Sequence, residues 1–194
     1  MSGTVYMRPD RSGETPIVVE RWRNEMPLFA ISAIVSVFAW LFLAISIVGL
    51  IYAVFIALFF FIIHLGFIAH VGGSGVRLGP GQFPQLDPPV QQLAARMGMK
   101  HVPEAYLMQA GGALNAFATR FARSHLIVLY SDLLEACGED ESARDMIIAH
   151  ELGHIHAGHL NWRMLTLPAS VVPFLGHPLS RAREDTCDRH GVGA

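Results

Sequence analysis

From Leu28 to Ile63 the chain carries no charged residue, and its apolar character continues to Ala69 with only His64 as an ionisable interruption. One membrane span takes about 20 residues, so a stretch of about 40 predicts two spanning helices, with one long tilted helix as the alternative. Two helices need a tight turn, expected between Ser46 and Tyr52 with Gly49 as its permissive residue. A secretory signal is excluded, because a polar leader over residues 1–26 precedes the segment and signals carry an apolar core of only about 7 to 15 residues. Composition agrees: the chain is 52% hydrophobic and 15% charged, more apolar than a soluble domain. Arg8, Arg11, Arg21 and Arg23 stand before the segment and Arg77 after it. For a hairpin, the positive-inside rule then puts both flanks in the cytoplasm. The two cysteines, Cys137 and Cys187, fit a reducing compartment and are read as small buried residues. A net charge of −2 with no basic patch argues against nucleic acid as a partner.

The second informative feature is His150-Glu151-Leu152-Gly153-His154. On a helix, His150 and His154 share a face one turn apart, where both can bind one ion while Glu151 points beside the open coordination position as a general base. The helix is readable from its flanks. Asp140 or Ser142 is the expected N-cap, and Ala143, Met146, Ile147, His150, His154 and Gly158 recur at helical spacing with no proline before Pro168. One histidine on such a face would be a hydrogen-bonded core residue; two with a glutamate between them point to metal. A catalytic zinc needs a third protein ligand. The HExxHxxGxxH arrangement fails, because Ala157 and Leu160 stand where Gly and His are required. That leaves His156 and His159 as solvated residues or as partners behind the ligands. Downstream, Ser180 to Asp188 reads as another short helix with Glu184 and Asp188 one turn apart on one face. Glu184 is the expected third ligand. Asp188 is expected to accept a hydrogen bond from the outer nitrogen of a ligating histidine. Cys187 projects away from that face and is not expected to bind the metal.

Between these regions the chain reads as a compact α+β unit. The glycine-rich stretch Val71 to Gln82 lacks a phosphate-loop ending and is expected to be a flexible juxtamembrane linker, residues 71–87 in all. Pro88-Pro89 opens a helix with Val90, Leu93, Ala94 and Met97 on one face, closed by Gly98. Tyr106–Met108, Ala116–Ala118 and Leu126–Tyr130 are expected strands, separated by Gly111-Gly112 and Arg123-Ser124, and Ser131 caps a short helix through Ala136. Asn115, Ala116, Phe117 and Ala118 form the candidate edge on which an extended peptide substrate could pair, main chain to main chain. The alternative for this stretch is that Phe117 is core and Asn115 only shapes a turn.

Four separated blocks carry a family resemblance: Asn115-Ala116-Phe117-Ala118-Thr119, Ser131-Asp132-Leu133-Leu134, Ala149 to His154 with His159 following, and Ser180-Arg181 to Glu184 with Asp188. In this order, behind a hydrophobic N-terminal segment, the chain resembles the HtpX-like and CAAX-prenyl-protease-like membrane zinc metallopeptidases, which are gluzincins. The resemblance implies His150, His154 and Glu184 as ligands of one zinc ion per chain, Glu151 as the base, and residues 115–118 as the wall of a substrate groove. The fold it implies is a membrane-anchored α+β one. In it, a transmembrane helix hairpin over 27–70 precedes a zincin-like domain over 88–194, with a small sheet and the HExxH helix. The implied activity is that of a membrane-bound zinc metalloendopeptidase in a bacterial inner membrane with its catalytic domain in the cytoplasm. It would act on peptides or membrane proteins, with quality control as the suggested role. Two departures stand out. Cys187 occupies a position usually held by alanine, and the chain stops at Ala194 where relatives continue with further helices. The expectation is therefore a domain incomplete at its C-terminus, with no oxyanion-stabilising donor found before Ala194. The alternative functions are a truncated, catalytically inactive zinc-binding membrane interaction module, or a purely structural membrane protein.

Overall fold

The computed structural model describes residues 17, 19–109, 111–112, 114–121 and 124–194, so Arg8, Arg11 and Arg123 lie outside the described residues. Two helices long and apolar enough to cross a membrane come first, α1 (Glu25–Ile45) and α2 (Ile47–Ser74). The break between them falls on Ser46 alone, whose backbone is extended and whose hydroxyl accepts the Gly49 N–H at 3.1 Å. Gly49 is therefore not the hinge. It lies inside α2, and a Cβ there would meet the Leu43 carbonyl at 3.0 Å. The start of α1 and the end of α2 both rest on the rest of the protein: Glu25 pairs with His159, and Phe67 packs on Phe117. The pair is thus folded back on itself. Ile17, within the expected leader, packs into the main core, and its N–H donates to the Arg96 carbonyl.

The expected linker is largely structured. α2 runs on to Ser74, and Val76–Arg77 forms a short strand, β1, that the sequence reading did not anticipate. After α3 (Asp87–Arg96), which has proline in its first turn and buries Val90, Leu93 and Ala94, the strands follow as β2 (Glu104–Met108), β3 (Ala116–Phe121) and β4 (Ser124–Tyr130). Their order is β1-β2-β4-β3, with β2 parallel to β4 and the other two pairings antiparallel. Central β4 is covered on both faces, which is why it reads as an unbroken apolar run. Ile127 and Leu129 face the core shared with α3 and with helix α5 (Glu141–His156), whereas Leu126 and Val128 face Val71 and Phe67 of α2.

α4 (Ser131–Cys137) follows directly; Tyr130, not Ser131, occupies its N-cap position, and no side chain caps it. α5 is capped by Asp140, whose carboxylate accepts the Ala143 N–H at 3.0 Å. The chain leaves α5 through Gly158, whose φ of +74° is the left-handed value glycine supplies. A short helix with an internal proline, α6 (Arg163–Ser170), precedes α7 (Gly176–Val192), twice the length expected for the helix around Glu184. α5 and α7 lie in close contact. A Cβ on Gly153 would meet the His190 ring at 3.0 Å, and one on Gly191 would meet the Met146 carbonyl at the same distance. Those two glycines set how near α7 comes, and hence where Glu184 sits.

Candidate metal centre

α5 and α7 bring the three expected ligand side chains together. His150 Nε2 lies 3.3 Å and His154 Nε2 3.6 Å from one Glu184 carboxylate oxygen, and the three donor atoms lie within 4.8 Å of one another. Two atoms each about 2.0–2.2 Å from a tetrahedral ion are themselves about 3.3–3.6 Å apart, so this donor set fits zinc. The outer nitrogen of His150, Nδ1, is 2.9 Å from Asp188 Oδ1, which presents Nε2 to the centre. Glu184 and Asp188 thus meet the same imidazole from consecutive turns of α7. Cys187, between them, turns away and is fully buried as expected, whereas Cys137, also expected to be buried, is only half-buried.

Glu151 is 7% exposed, and the Ala118 backbone hydrogen-bonds to its carboxylate. Burial pushes its pKa above the usual carboxylate value, against the pull of the two imidazoles. Hydrogen bonds from His150 and His154 hold Glu184 well below that range. Reciprocally, the Glu184 hydrogen bond raises His150. One edge of the sheet borders this centre. Tyr130 N–H donates to the Asn115 carbonyl at 3.2 Å. By the alternation of an antiparallel ladder, the main-chain groups of Ala116 and Ala118 therefore point to the free side of β3, towards α5. Phe117 points the opposite way, against Phe67 and Tyr130, so it is packed and forms no part of that edge.

Behind His154 lies an arrangement the sequence reading missed. His154 Nδ1 is 3.1 Å from His159 Nδ1, and His159 Nε2 is 3.0 Å from Glu25 at the head of α1. Glu25 is buried, accepts from the Thr186 hydroxyl, and pairs with Arg21 at 3.3 Å. His159 is therefore not solvated; burial lowers its pKa. His156 is exposed and packs on His190. A lone carboxylate at the edge of an uncharged apolar run was the available signal for Glu25. His154 and His159 also approach Cys187, whose sulfur is 3.6 Å from His159 Nδ1. This second group offers a metal less: Glu25 holds the far nitrogen of His159, both His159 and Cys187 are buried, and burial beside carboxylates keeps the thiol protonated. The first group opens to solvent through half-exposed Glu184.

Residues 80–172 match the model of Peptidase family M48. Over that segment, just under half of its length, the chain is similar to M48 metallopeptidases. It takes in α3, β2 to β4, α5 and α6, hence His150, Glu151 and His154, and stops short of Glu184 and Asp188 on α7. No curated protein and no solved structure matches the chain.

Proposed function

We propose that the chain is a membrane-anchored zinc metalloendopeptidase of the HtpX-like kind, working at the cytoplasmic face of a bacterial inner membrane, with proteins of that membrane as substrates. The convergence of His150, His154 and Glu184 beside buried Glu151, with the two histidines and Glu151 inside the segment similar to family M48, carries this reading. His150, His154 and Glu184 would hold one zinc ion, with Asp188 and His159 fixing the two imidazoles from behind. Zinc would supply Lewis acidity toward a water and the substrate carbonyl. Glu151, made more basic by burial, takes the proton of the attacking water and returns it to the leaving amine. The outward main-chain groups of Ala116 and the outward carbonyl of Ala118, whose N–H is held by Glu151, would pair with an extended peptide and align its scissile bond. Arg21 and Arg23 before the hairpin and Arg77 after it support the cytoplasmic side.

Metal analysis of the purified chain together with a casein-type assay tests the proposal. The expected result is one zinc per chain and chelator-sensitive cleavage. Glu151→Gln should keep the zinc and lose activity by about 10²–10⁴-fold, the usual contribution of a general base. Zinc without turnover in the wild type would leave only a metal-binding module, and absence of stoichiometric zinc would overturn both.

A further inference from the structure

α6, the turn after it and the start of α7 are packed like a membrane element although they are too short to cross one. α6 runs alongside α1 in the same direction: Trp162 stacks edge-on with Phe29 at 6.2 Å, and Ala169 N–H donates to the Ser36 hydroxyl at 3.0 Å, the same sequence offset in both contacts. Ser36 lies roughly 16 Å along α1 from Glu25 at 1.5 Å per residue. α7 then climbs back beside α1 until Thr186 meets Trp22 and Glu25. The turn between them is tight, since a Cβ on Gly176 would meet the Ser170 carbonyl at 2.5 Å. From Met164 to Ser180 there is no Asp, Glu, Lys or Arg, and Arg163 and Arg181 stand at the two ends.

Burial along this element is inverted relative to a water-soluble helix pair. Ser32 and Ser36 of α1 and Ala169 and Thr166 of α6 face inward, while Val171 and Phe174 at the turn are 82% and 88% exposed. Small and hydroxylic residues inside with large apolar ones outside is how helices pack in lipid. Exposed Trp162 with Arg163 beside it fits the aromatic and cationic belt at a membrane surface.

We propose that residues 163–181 form a re-entrant hairpin that dips into the bilayer beside α1, with Val171 and Phe174 in contact with lipid hydrocarbon. The inference rests on the membrane reading of α1 and α2. Its partner is the acyl-chain region of the same bilayer, because the exposed side chains continue the outward apolar surface of α1, where Phe38 and Phe42 are exposed at the level of Ser36 and beyond. Since α7 begins at the bottom of this dip, Glu184 is lifted to within a turn of Glu25, and the metal centre stands at the membrane surface.

Nitroxide labels at Phe174→Cys, Leu58→Cys and Glu141→Cys, in a Cys137→Ser background reconstituted into phosphatidylcholine vesicles, test this through collision with oxygen and with a polar nickel chelate. Position 58 marks the spanning helix, and position 141, with a highly exposed side chain, marks water. The oxygen-to-nickel accessibility ratio at 174 is expected to match that at 58 and to exceed that at 141 by roughly ten-fold, because a polar chelate is excluded from hydrocarbon. A ratio at 174 equal to that at 141 while 58 stays oxygen-rich overturns the hairpin and leaves the spanning helices intact. So does a label at 174 shielded from both reagents, which would mean that protein covers the turn. A water-like ratio at 58 overturns the membrane reading itself.

Discussion

The N-terminal helix pair and the α+β unit bury opposite kinds of residue. In the sheet and α5 the fully enclosed side chains are large and apolar, among them Ile127, Leu129, Ile148 and Leu152. In α1 the enclosed ones are Glu25, Ser32 and Ser36, and the phenylalanines and isoleucines face outward. A helix whose large apolar face is its outer face gains nothing from water, whereas in hydrocarbon that face costs nothing and close contact between small residues does the packing. The contrast fits two solvents along one chain, lipid around α1 and α2 and water around the α+β unit, as proposed above.

The largest effect that could break this contrast is expected inside the α+β unit. Leu152→Ala leaves a cavity beside the metal helix and should destabilise the protein by about 2–5 kcal/mol. A denaturation midpoint unchanged in detergent would contradict the placement of Leu152. On the outer face, Leu58→Ala should change little, while Leu58→Lys should cost about 2.5–3.5 kcal/mol if the side chain meets lipid. Equal tolerance of both substitutions, measured by unfolding in nanodiscs, would place α2 in water. At the inner face of α1, Ser36→Leu should overpack the contact with Ala169 and cost about 1–3 kcal/mol. A stabilised variant would mean that α6 does not sit there. Glu25→Gln should leave the fold assembled and lower zinc affinity by about 10-fold, the low end of what loss of a ligand's own partner does, because Glu25 acts on His154 through His159. Competition with a chromogenic chelator reads that change, and unaltered affinity would detach Glu25 from the centre.

The smallest effect is a pH signature of the metal-free protein. His150 is raised above its ordinary 6.5 by Glu184, so its contribution is full below that pH and is lost as pH rises through the raised value. Glu184 is depressed below its ordinary 4.5 by the imidazoles, so its contribution is full above 4.5 and is lost as pH falls through the depressed value. After chelation, the difference in Tm between wild type and Glu184→Gln should be greatest between about pH 4.5 and 6.5 and shrink on both sides. A difference independent of pH would dissolve the pair.

What was legible in the sequence was what repeats locally. Absence of charge marked α1 and α2, the Asp140 cap and helical spacing marked α5, and the one-turn spacing of Glu184 and Asp188 put both carboxylates on His150. What escaped depends on distance along the chain or on very short elements. Glu25 and His159 are separated by 134 residues, so no periodicity links them. β1 has two residues and exists only because β2 offers it a ladder. α6 carries Pro168 inside a single short helix, which by pattern alone reads as a stop. The close approach of α7 to α5 depends on Gly153 and Gly191 meeting specific atoms of the other helix, which no single-chain pattern encodes.

The hydrogen bonds running from Glu25 through His159 to His154 tie the candidate metal centre to the head of α1. Cleavage between Ser74 and Val76 would leave His150, Glu151, His154 and Glu184 on one piece and the carboxylate behind His159 on the other. The piece parted from α1 is expected to hold the His154 imidazole less firmly than the intact chain does.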